Sequence, residues 1–182
     1  MREEKVVLDN NKNNKNNDPN FERKLDLVLE GAKPFLKKHL LERIPQENCA
    51  TIVAYILAMQ VEINPSERYR FDIIFKLKQL AEFHKPKSFR SMSRQDIIDY
   101  LDSFRKPEQV DPLHKWIGTY ELTRMVLLRF FKWLYHPDIA PSHKRPKPDV
   151  IDNIPKIKRR VSVLEAEVER LKQEESQKNN KN

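Results

Sequence analysis

The stretch LHKWIGTYELTRMVLLRFFKWLY, residues 113–135, decides how this chain folds. It reads as a helix beginning between Leu113 and Thr119 and ending at Tyr135, before Pro137. At about 100° per residue, Leu122, Val126, Leu127, Phe130, Phe131, Trp133 and Leu134 sweep about half of its circumference. Arg124, Arg129 and Lys132 fall on the remaining arc, interrupted by Glu121, Met125 and Leu128. One side of this helix is therefore core, and the other offers three cations.

Upstream, the same periodicity recurs. From about Asn20 to Arg43, Leu25, Val28, Leu29 and Ala32 stand at helical spacing, and Pro34 should kink or split that helix. A second helix, about Glu47 to Ile63, carries Ile52, Val53, Ile56, Leu57 and Met59, and Asn64-Pro65 ends it. Ser66 is placed to cap a third, which runs to about His84. It has Phe71, Ile74, Leu77 and Ala81 inward and Arg68, Asp72, Lys76 and Gln79 outward. Ser93 with Asp96 forms a capping-box pattern ahead of Ile97, Ile98, Leu101 and Phe104. Leu57, Ile74, Leu77, Leu101, Leu127, Phe130 and Leu134 are expected to share one core.

Composition narrows the alternatives. Among 182 residues only Gly31 and Gly118 are glycine, too few for a hairpin-rich β fold or a glycine-rich phosphate loop. Lys and Arg number 35 against 27 Asp and Glu, a formal charge of +8, which favours an anionic partner, nucleic acid first. The one cysteine, Cys49, allows neither an internal disulfide nor a cysteine zinc site, and suits the core. No stretch approaches the ~20 apolar residues of a membrane span, and the N-terminus has no signal-peptide core. The expectation is a cytoplasmic protein without membrane partners.

The ends differ from the middle. Residues 1–19 and 176–182 are rich in Asn and Lys and read as disordered tails around a helical domain over 20–136. Residues 137–160 form a basic segment with five prolines, carrying Lys144, Arg145, Lys147, Lys156, Lys158, Arg159 and Arg160. It reads either as a solvated linker or as a strap that tracks phosphates. In 161–175, Val161, Leu164, Val168 and Leu171 step by three, four and three, a short coiled-coil-like seam among Glu165, Glu167 and Glu169.

Catalytic patterns are missing. His39, His84, His114, His136 and His143 stand singly, with no H-E-x-x-H pair, and no G-x-S-x-G elbow can be written. We expect no enzyme activity, no metal, no cofactor and no small-molecule substrate.

The runs DPLHKWIGTYELTRMVLLRFFKWLYHPDIAP (111–141) and KRPKPDVIDNIPKIKRR (144–160) resemble the end of the N-terminal core-binding domain of archaeal tyrosine-recombinase-type integrases. Helices over 47–63, 67–84 and 93–105 match the SAM-like layout of that domain, and the resemblance covers roughly residues 20–160. It implies an all-α, SAM-like bundle of four to five helices, with a separate C-terminal helix. The domain would grip duplex DNA as one arm of a clamp. The family's catalytic half has no counterpart in this sequence: there is no H-x-x-R box, and Tyr55, Tyr69, Tyr100, Tyr120 and Tyr135 all lie in the helical region. The expected function is DNA binding without catalysis. Candidate contacts are Arg68, Lys76, Lys115, Arg124, Arg129, Lys132, Lys144, Arg145, Lys147, Lys158, Arg159 and Arg160. A full-length integrase, or a second copy joined through 161–175, is a further candidate partner. The alternative is a helical interaction or regulatory protein working through its C-terminal helix.

Overall fold

The computed structural model describes residues 19–157 and 170–173. The tails, most of the 161–175 seam, and Lys158, Arg159 and Arg160 lie outside the described residues. Among those described, the secondary structure is helical throughout and no strand occurs. Contacts group the chain into two units divided between Ser88 and Phe89.

The first unit holds α1 (Pro19–Val28), α2 (Pro34–Glu42), α3 (Gln46–Ile63) and α4 (Glu67–Phe83). Pro34 splits the first apolar pattern, sitting at the start of α2, where its missing N–H costs nothing. Between α1 and α2, Gly31 has φ +82, and a Cβ there would lie 2.6 Å from a Glu67 carboxylate oxygen. The left-handed backbone is what favours glycine here, since the Glu67 carboxylate is the end of a flexible side chain and can move aside. α3 is the central element and packs against α1, α2 and α4. It buries Cys49, Ile52, Val53, Tyr55, Ile56 and Met59 against Leu25, Leu40, Ile73, Ile74, Leu77 and Leu80 of its neighbours. Two expected core residues, Leu57 and Phe71, are only half-buried. Asn64, at φ 43, closes α3, and the Ser66 hydroxyl accepts from the Tyr69 N–H to open α4.

The second unit holds α5 (Arg94–Asp102), α6 (Trp116–Tyr135) and short 3-10 turns at Phe89–Ser91, Ser142–Lys144 and Asp149–Ile151. Ser93 and Asp96 make the reciprocal capping box, the Ser93 N–H donating to Asp96 Oδ2 at 2.7 Å. α6 buries Val126, Leu127, Phe130, Phe131, Trp133 and Leu134 as its periodicity requires. Leu122 does not join them and is 61 % exposed. The seven residues expected to share a core instead lie in two units: Leu57, Ile74 and Leu77 in the first, the other four in the second.

The largest departure concerns the proline-rich segment, whose later part up to Ile157 is not a freely solvated linker, although Lys144 and Lys147 stay exposed. Val150, Ile151 and Ile154 are buried, and the turn at 149–151 packs on both α5 and α6. Burying each of these side chains contributes roughly 1.5–3 kcal/mol. Hydrogen bonds fix the path. Arg94 donates to the carbonyls of Asp152 (2.6 Å) and Asn153 (2.8 Å), the Tyr120 hydroxyl donates to the Pro155 carbonyl, and the Ile157 N–H donates to Glu121 Oε1. Prolines forbid a regular helix here, but they leave the chain able to fold back along α6.

Candidate functional site

The cations proposed as contacts have different surroundings. In the first unit, Arg68 is exposed at the start of α4, while Lys76 is half-buried and pairs with Asp72 at 2.5 Å. In the second unit, four cations act within the fold. Arg145 is 4 % exposed and donates from Nε to the His136 carbonyl at 3.1 Å. Arg124 donates from Nε to the Ile154 carbonyl and pairs with Glu121 at 3.6 Å. Lys147 pairs with Asp152 at 2.9 Å, and that hydrogen bond holds the Asp152 carboxyl below its ordinary range. Arg94, not anticipated from sequence, holds the 152–153 carbonyls. Arg145 is therefore a buried structural residue rather than a surface contact, and Arg124 ties residue 154 to α6. Neither role is visible in sequence, because each depends on where a distant backbone carbonyl lands.

Lys115, Arg129 and Lys144 are exposed, and Lys132 is half-buried. Lys115 precedes α6, Arg129 and Lys132 lie on its last two turns, and the 142–144 turn packs against the same helix. The start of α6 is fixed by Asp111, whose Oδ2 accepts the Trp116 N–H at 2.9 Å. That bond lowers the Asp111 carboxyl from its usual value. Behind it, Arg105 sits over the rings of Trp116 and Tyr120 at 5.8 and 6.0 Å.

The outer side of α6 forms a continuous stripe. Gly118, Leu122, Met125, Arg129 and Lys132 step by four, three, four and three, and fall within roughly 80° of one another. Leu122 is 61 % and Met125 47 % exposed, and a Cβ at Gly118 would meet nothing within 4 Å. Nothing in the fold asks for glycine at that helical position. Gly118→Ala is therefore expected to stabilise the second unit by about 0.5–1 kcal/mol, measured by urea denaturation. A loss of stability would show that the position is constrained in a way the geometry does not reveal.

The stripe is legible in its cations but not in its apolar members. Leu122 stands only about 40° from Val126 on the helical wheel, so periodicity places it in the core. The useful signal is the regular four-three alternation running from Gly118 into Arg129 and Lys132.

Among the described residues no set of three or more His, Cys, Asp and Glu is placed to hold a metal ion. Cys49 is buried, and burial pushes its thiol up to about 12, far from a reactive thiolate. No described helix is long and apolar enough to cross a membrane. No known family model matches the chain, and no curated protein or solved structure matches it significantly.

Proposed function

We propose that this protein is a non-catalytic DNA-binding module, as its resemblance to an integrase core-binding domain implies, and that the outer face of α6 meets the duplex. The observation that carries this reading is the α6 stripe, which bears Arg129 and Lys132, with exposed Lys115 just before the helix and exposed Lys144 on a turn that packs against the same helix. A helix ~10–12 Å across fits a major groove ~12 Å wide. Gly118 lets the groove floor approach the helix backbone, Leu122 and Met125 suit thymine methyl groups, and the cations reach phosphates on either side.

The test is fluorescence anisotropy with a duplex oligonucleotide across a salt series. Four phosphate contacts correspond to a slope of log K against log salt near about −3.6. Lys115→Ala, Arg129→Ala and Lys144→Ala together should flatten that slope by about 2 to 3. Absence of binding at low salt, or a slope indifferent to all three substitutions, would refute the assignment.

A further inference from the structure

The α6 stripe has a property that DNA contact does not require: its spacing of four, three, four and three is that of a seam covered by a second helix. Its centre is apolar, with Leu122 and Met125 left exposed by the rest of the second unit. A seam of the same spacing follows at Val161, Leu164, Val168 and Leu171. Of these Leu171 is described, and it too is 52 % exposed. A receiving surface and a seam of matching spacing therefore occur in the same chain.

Charge selects the pairing. Residues 161–175 carry Glu165, Glu167, Glu169, Glu174 and Glu175 against Arg170 and Lys172, an excess of three negative charges. The stripe ends in Arg129 and Lys132. Pairing two α6 stripes in parallel would set Arg129 and Lys132 beside their own copies. Antiparallel pairing would set Lys132 toward Lys115 of the other chain. Like charges at such distances are destabilising. Pairing two 161–171 seams with each other would leave Leu122 and Met125 uncovered. Among the described residues the chain does not cover its own stripe: the Ile157 N–H donates to Glu121 Oε1 at 2.6 Å, yet Leu122, Met125 and Leu171 all stay exposed, which leaves the stripe open to a second copy.

We infer that the acidic 161–171 seam of one copy docks on the Gly118–Lys132 stripe of a second copy, in a reciprocal dimer. Two-fold symmetry makes the contact twice, so two short seams add together. The same face cannot hold the seam and a duplex at once, so dimer and DNA compete. That competition rests on the DNA reading above; the dimer itself does not.

The experiment is sedimentation velocity of the full chain in low salt at about 50 µM, where a micromolar contact is populated. The expected mass is twice 21.8 kDa for the unaltered chain. It should fall to 21.8 kDa for Leu122→Asp and for Leu171→Asp, with circular dichroism unchanged, since both side chains are exposed. Arg129→Glu with Lys132→Glu should also give the monomer. Adding Glu165→Lys and Glu167→Lys to that chain should restore the dimer, which a mere folding defect would not do. A monomeric unaltered chain, or a dimer that survives Leu122→Asp, overturns the proposal. Adding duplex should convert dimer to monomer–DNA complexes. If the dimer responds to Leu122→Asp but no duplex binds in the anisotropy assay, the DNA reading fails and the dimer stands. If duplex binds and the unaltered chain is a monomer, the dimer fails alone.

Discussion

Phe130→Ala should destabilise the second unit by about 3–5 kcal/mol, the loss typical of a fully buried aromatic whose cavity cannot close. Phe130 is 0 % exposed and sits at the middle of an aromatic cluster. Its ring meets Phe89 edge-on at 4.8 Å and Phe131 at 5.1 Å, with Trp133 tilted at 6.3 Å. Phe89 arrives from the turn before α5, so the substitution uncouples the start of the unit from its longest helix. Both tryptophans of the chain, Trp116 and Trp133, lie on α6. Urea unfolding followed by their fluorescence therefore reports this unit. Leu122→Ala is the control and should move the midpoint by no more than about 0.5 kcal/mol, as at other exposed positions. A Phe130→Ala loss below about 1 kcal/mol would mean that the cluster is not the core of the unit.

The second large effect is expected at Arg145, and it separates a structural cation from one proposed to face DNA. Arg145→Ala removes the donor to the His136 carbonyl at the end of α6 and leaves that acceptor without it. It also removes a long stem packed at a nearly closed site. A loss of about 1.5–3 kcal/mol follows, the range for a hydrogen bond from a charged group; the carbonyl keeps the Ile139 N–H as a donor. Lys144→Ala, one residue away and exposed, should leave stability within about 0.5 kcal/mol while reducing the salt slope of DNA binding by about 0.9. Arg145→Lys sharpens the distinction. Lysine keeps the charge but loses the planar guanidinium geometry. If Arg145 acted on phosphates, the Arg145→Lys chain would keep the binding that Arg145→Ala loses; if it acts on the His136 carbonyl, stability recovers only in part. Equal effects on stability at 144 and 145 would show that the burial of Arg145 is not energetically meaningful.

What is readable in the sequence is local. The break at Pro34, the left-handed stop at Asn64, the Ser66 cap and the Ser93–Asp96 box each depend on residues within four positions of one another, and all four are formed. The inward faces of α4 and α6 are legible because their apolar residues recur with the helical period. Three features are not, and all three depend on distance along the chain. Periodicity states that Leu122 and Leu127 are both apolar, but not which of them a neighbouring element covers. It cannot tell one core from two, since each helix must bury a face in either case. Nor has it anything to say about Val150, Ile151 and Ile154, which are set among prolines and follow neither the helical nor the strand period. The site suffers most, because Arg94 finds its acceptors 58 and 59 residues away and Arg124 finds its own 30 away. A basic residue in a proline-rich run is identical, as text, whether it faces phosphate or a buried carbonyl.

The fold-back of residues 149–154 also sets an order in time. Synthesis runs from the N-terminus, so α5 and α6 exist before the segment that closes over them. Nineteen residues separate Tyr135, the end of α6, from Ile154, the last buried residue of that segment. At ~5–20 residues per second, they take roughly 1 to 4 s to make. During that interval the apolar surface that Val150, Ile151 and Ile154 will cover is open to water, and Tyr120 has yet to meet the Pro155 carbonyl. The first unit has no such wait, because its partners all precede residue 89. The second unit is thus the part of a nascent chain that stays sticky longest, and the part that most needs shelter while the chain is being made.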